Sequence, residues 1–158
     1  MILFAFLLSL VAFSLQLSIY GSSLPILPFI PFVILSALLR PLSKALFYSC
    51  LAGFLVDVLG ADPFGIHALN YTLIAALCYR NRSRFSAEAP VQLSLCAAFG
   101  SFVSTQLQIL LLFLFDRRIL FEGKWWIAEW TLLPLFDGLY TLIWFTGPLA
   151  LFRKIRRM

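Results

Sequence analysis

The chain has 158 residues, 62% hydrophobic and 12% charged, with a formal net charge of +5 and a mean hydropathy of +0.97. Soluble domains carry about 45–50% apolar and about 25% charged residues, so this balance excludes an ordinary soluble domain and points to one integral membrane bundle. The apolar runs are long and rich in Leu and Phe rather than short and alternating, which favours helices over a transmembrane barrel.

The first run, residues 1–20, has no charge and is long enough to span. A secretory leader would show a basic start and a shorter apolar core, so the run is read as span one. Ala5, Ser9, Ala12 and Gln16 share one of its faces. Small residues at this spacing let helices approach closely. The face is read either as internal packing or as a candidate docking face for a partner helix.

Gly21-Ser22-Ser23 is a turn. Span two covers about residues 24–39 and holds Pro25, Pro28 and Pro31, which should bend or loosen its first turns. Arg40 and Lys44 form a basic turn. Span three, about 42–59, places Cys50, Gly53, Asp57 and Gly60 on one face, so Asp57 should point into the bundle. Gly60 suits the left-handed residue that ends a helix. Asp62 can cap the next helix, and Pro63 suits its first position, where no amide is needed. The stretch from Gly53 to Leu69 thus reads as helix, tight turn, helix, with the other spans packed around that hairpin.

Span four, about 64–79, has His67, Asn70 and Tyr71 on its polar side. A basic loop follows, with Arg80, Arg82 and Arg84. Span five, about 91–115, lines one face with Ser94, Ala98, Ser101, Thr105 and Gln108, with Ser104 beside them. The segment from Asp116 to Trp130 mixes charges with Trp125, Trp126 and Trp130, as a membrane–water boundary favours. Span six, about 132–152, carries Asp137, Tyr140, Thr141 and Trp144 on one face. The expected architecture is therefore all-α: one domain, residues 1–158, with six transmembrane helices in a single bundle.

With six spans, Arg40/Lys44, Arg80/Arg82/Arg84 and Arg153/Lys154/Arg156/Arg157 fall on one side, nine of the twelve basic residues. Cytoplasmic loops carry the excess of Lys and Arg, so both termini are expected in the cytoplasm of a multi-pass inner-membrane protein. A basic patch beside membrane spans reports orientation, and no nucleic-acid partner is expected. Cys50, Cys78 and Cys96 are odd in number and lack ligand spacing, so neither a disulfide framework nor a metal site is expected. No phosphate-binding loop, dinucleotide fingerprint, zinc-protease helix or nucleophile elbow is present, and no cofactor is expected.

This topology gathers Asp57, Asp62, His67 and Asp137 in the outer part of the membrane. Ionisable groups there are costly unless hydrogen-bonded or paired; Arg117, Arg118 and Lys124 are available by position. The cluster reads as a structural polar network, as the lining of an outward pocket, or as an acid–base group. Without a nucleophile or metal spacing it is weak support for an enzyme.

The hairpin also carries a resemblance. Gly53-x-x-x-Asp57, followed by Pro63, Gly65 and Leu69, resembles the MreD family of rod-shape-determining membrane proteins. The chain length, the uncharged start, the proline-bearing second span and the basic tail are similar to that family as well. The resemblance implies a non-enzymatic subunit of the bacterial cell-elongation machinery that binds the bitopic protein MreC. Through it the subunit is linked to MreB filaments, to the glycosyltransferase RodA and to a class B penicillin-binding protein, and helps organise peptidoglycan synthesis. It also implies a fold similar to the substrate-binding subunits of energy-coupling-factor vitamin transporters. Such a transporter subunit is the alternative reading, and a small membrane enzyme or lipid transporter is a third.

Overall fold

A computed structural model describes residues 2–20, 26–59, 63–85, 89–115 and 128–148. Over them the chain is all-helical, with no strand. Six α-helices run in order among the described residues: α1 Ile2–Tyr20, α2 Ile30–Leu39, α3 Leu42–Leu59, α4 Ile66–Arg80, α5 Pro90–Leu114 and α6 Leu133–Tyr140. Wider π-helical turns, Ala128–Leu132 and Thr141–Thr146, flank α6, so helix begins earlier than the expected residue 132. Two stretches, Leu42–Leu59 and Val91–Leu114, are long and apolar enough to cross a membrane.

The second span departs most from expectation. Helix begins only at Ile30, with Pro31 in its first turn, and runs for ten residues. Ten residues rise about 15 Å, half of a hydrocarbon core of about 30 Å. Pro28 and Pro31 lack the amides that would extend the helix backwards, so Ile26 to Phe29 stay outside it. This short helix is also the most enclosed element: every residue from Ile30 to Ala37 is buried. It packs against α1, α3, α4 and α5. The expectation that the α3–α4 hairpin forms the centre is corrected accordingly. An interrupted span exposes backbone groups that lipid cannot satisfy, so it must be wrapped in protein.

The core forms around α2. Phe6 meets Phe29 and Phe32 with ring centroids 6.0 and 5.2 Å apart, and Phe13 meets Phe29 at 5.5 Å. Ala45, Ala52, Tyr71, Ile74, Ala75, Ala97 and Phe145 complete the buried cluster. The outward faces carry large exposed apolar side chains, among them Leu3, Phe47, Phe99, Phe113 and Ile143. That surface suits hydrocarbon rather than water.

Helices α3 and α4 pack very closely. A Cβ added to Gly53 would sit 2.3 Å from the Ala68 Cα and 2.6 Å from the His67 carbonyl carbon. Only a glycine lets the two backbones meet there. On the other side, Gly138 of α6 lies against Ala98 and Ser94 of α5. The small-residue stripe of α5 thereby serves helix packing.

Candidate functional site

Two buried carboxylates organise the polar interior, and each serves a stretch of backbone that its own helix cannot satisfy. The first is Asp57, 4% exposed, two residues from the end of α3. Helix α4 starts without a side-chain cap of its own; its N-cap position is Gly65, in the left-handed region at φ 97°. The orphan amides of that start are the donors that need partners. Asp57 accepts from Gly65 N at 3.0 Å, His67 N at 3.0 Å and Ala68 N at 3.1 Å. A carboxylate at a helix N-terminus also complements the helix dipole. His67 adds a fourth contact, its Nδ1 lying 2.9 Å from Asp57 Oδ1. The carboxylate oxygen can only accept, so the proton of that bond sits on Nδ1; Nε2 lies 3.5 Å from Gln108 Nε2.

The sequence reading gave the capping role to Asp62 and the first helical position to Pro63. Asp62 and Gly60 lie outside the described residues. Pro63 stands three residues before α4, where its carbonyl accepts from Ile66 N at 3.3 Å. Among the described residues the capping bonds come from Asp57 across the hairpin, with Gly65 turning the chain so that the α4 amides face the end of α3.

The second carboxylate is Asp137 of α6, fully buried. Its Oδ1 accepts the Leu27 amide at 2.9 Å, in the irregular lead-in to α2. Its Oδ2 accepts from the Ser101 hydroxyl of α5. Two neighbours serve the same lead-in: Gln16 Nε2 donates to Ile26 O at 3.4 Å, and Tyr140 Oη donates to Pro28 O at 3.4 Å. Side chains of α1 and α6 thus close the gap that the prolines of span two open. The sequence reading missed this partnership. Its signal was present: three prolines in one span demand polar side chains from other spans, and Gln16, Asp137 and Tyr140 were there to supply them.

Helix α5 links the two carboxylates. Ser94 Oγ donates to Gly138 O at 2.6 Å, and Ser101 bonds Asp137. Asn70 Nδ2 donates to Ser104 Oγ at 2.9 Å and to Ser104 O at 3.1 Å, and Gln108 meets His67. The polar face expected on α5 is a ladder from α6 at one end to α4 at the other. Asp57 and His67 are therefore in direct contact, while Asp137 belongs to a separate bonded group joined to them through α5. Arg117, Arg118 and Lys124, offered by position as ion-pair partners, lie outside the described residues; the described bonds to both acids come from amides, a hydroxyl and an imidazole.

Other expected faces divide. Ala5 and Ser9 are fully buried and Ala12 and Gln16 half-buried. The centre of this face is buried within the chain, as the internal-packing reading requires. On α6, Asp137 and Thr141 turn inward, but Trp144 is exposed and Phe145 is buried in its place. The π-helical turn at Thr141–Thr146 widens the repeat and carries Trp144 off the polar face. Trp130 lies in the preceding helical turn, edge-on to Phe102 at 6.1 Å.

A cavity of about 450 Å³ lies between α2, α4 and α5, toward the end of α4 away from Asp57. Its lining is mostly apolar, with Asn81 at one end, and includes none of Asp57, His67 or Asp137. Among the described residues, no three His, Cys, Asp or Glu side chains are grouped to hold a metal ion.

No curated protein and no solved structure matches the chain. The family model described as "rod shape-determining protein MreD" matches residues 1–146 of the 158. A chain all-helical over its described residues, with membrane-length apolar helices, a glycine-tight hairpin closed by Asp57 and a family match over nearly its whole length, belongs to the MreD family of rod-shape-determining membrane proteins.

Proposed function

We propose that this chain is a non-enzymatic scaffold subunit of the bacterial cell-elongation complex. It crosses the inner membrane six times as one domain, with both termini in the cytoplasm, and binds MreC. Through MreC it connects to MreB, RodA and a class B penicillin-binding protein and helps organise peptidoglycan synthesis. Membership of the MreD family supports the role in rod shape.

One observation carries the scaffold reading. The two described carboxylates are committed to bonds within the chain, most of them to its own backbone. Asp57 receives four hydrogen bonds, one from Gly65 and three from the first turn of α4, and Asp137 closes the break before α2. Such groups fix one arrangement of helices, which is what a docking platform requires. The alternative, a vitamin-binding transporter subunit similar to those of energy-coupling-factor systems, needs polar groups facing a pocket. The cavity described above is mostly apolar and lies elsewhere.

The test is co-purification. Tagged chain extracted in mild detergent should retain MreC at a fixed ratio. A tightly held vitamin-sized molecule in the absence of MreC would overturn the proposal in favour of the transporter. Cysteine labelling checks the topology: residues introduced beside Arg82 should react from the cytoplasm, and periplasmic reactivity would refute the orientation.

A further inference from the structure

We propose that the cavity between α2, α4 and α5 is a binding site for one anionic glycerophospholipid, with an acyl chain in the groove and the phosphate on the arginines beside one end of it. Three observations meet there. The groove holds about 450 Å³ and is floored by Ile34, Leu38, Leu77 and Phe99, within the volume range of sites that hold a small ligand, about 300–1,000 Å³. Its walls are mostly apolar, so hydrocarbon fills it without loss.

The chain beside one end of the groove is basic. Asn81 and Phe85 line the groove where α4 ends, and both flank exposed Arg82. Exposed Arg80 ends the helix itself. Arg82 is held in place, its guanidinium 4.4 Å from the centroid of the Tyr79 ring. Leu38, on the α2 side, lies two residues before exposed Arg40. Three exposed cations thus stand within two residues of positions that line the groove.

The third observation is that the described acids of the bundle are engaged elsewhere. The two acids whose side chains are described, Asp57 and Asp137, are both held in the networks above. Basic pockets between membrane helices take lipid phosphates, and arginine's planar fork suits phosphate oxygens. A free anion would use the arginines but not the groove, and a neutral lipid the groove but not the arginines. The combination selects a lipid that has both parts.

The experiment is native mass spectrometry of the full chain with equimolar dioleoyl phosphatidylglycerol and dioleoyl phosphatidylcholine. One phosphatidylglycerol should be retained in preference, by about tenfold or more given two or three cations near the phosphate. The Arg80→Gln/Arg82→Gln variant, changed only at exposed positions, should lose most of that preference. Val103→Phe, which narrows the groove, should weaken retention of both lipids while the arginines remain. Dihexanoyl phosphatidylglycerol should fail to compete. Equal retention of the two lipids overturns the proposal, as does a preference unchanged in the double arginine variant. Competition by the short-chain lipid or by glycerol phosphate would show a headgroup-only site and also overturn it. If Val103→Phe does not fold, the arginine variant and the short-chain arm decide.

Discussion

Asp57 holds His67 twice, through its backbone amide at 3.0 Å and its ring Nδ1 at 2.9 Å, both on the same carboxylate oxygen. The other oxygen takes Gly65 and Ala68. Every described partner is a donor, so the site wants acceptors in all four directions. Asp57→Leu should strand the amides at the start of α4 and lower stability by about 3 kcal/mol or more. Asp57→Asn keeps one oxygen but turns an NH₂ toward two donors. It should fall between, at about 2 kcal/mol. Unfolding of purified protein in detergent measures both; an Asn variant as stable as the parent would refute the four-donor arrangement.

Asp137 should respond differently to the same change. One oxygen serves the Leu27 amide, but the other faces the Ser101 hydroxyl, which can accept as well as donate. Asp137→Asn can keep both contacts, with the amide nitrogen donating to Ser101. The expected loss is about 1 kcal/mol or less, and Asp137→Leu should cost about 2 kcal/mol by orphaning Leu27 N–H. Measured side by side, Asn should be tolerated better at 137 than at 57. The reverse order would show that the two networks are assigned the wrong way round.

The two hairpin glycines are required for different reasons, and the sizes should separate them. Gly53→Ala drives a methyl into the Ala68 backbone at 2.3 Å, so the helices must part. Overpacking of this kind costs about 1–3 kcal/mol, occasionally more. Gly65→Ala meets nothing within 4 Å but holds φ at 97°, a strain of about 1–2 kcal/mol. Gly147→Ala, with open space and ordinary φ, is the neutral control. Thermal unfolding should rank 53 first, then 65, then 147.

The inward face of α1 gives a test of internal packing against docking. Ala5→Leu and Ser9→Leu place bulk at fully buried positions, and each should lower the stability of the isolated chain by about 1–3 kcal/mol. Leu3→Ala, at a position 72% exposed, should be nearly silent. If the two Leu variants unfold like the parent but lose MreC, the face belongs to the partner after all.

Much of this was legible before any coordinates. Composition alone gave helices and a membrane, because 12% charge cannot clothe a soluble surface of this size. Helical spacing placed Asp57 inward on α3 and aligned Ser94, Ser101, Thr105 and Gln108 on α5. The prolines marked the second span as irregular. These are local properties: periodicity, turn chemistry and backbone donors are written in neighbouring residues. What only the folded chain decided is who answers whom. No spacing rule links Leu27 to Asp137 across 110 positions, or says that Asp57 caps α4 from across the hairpin. Those pairings arise because a shortened helix must be enclosed and orphan amides must find acceptors, and the partner is whichever acid the packing of the other helices brings within 3 Å.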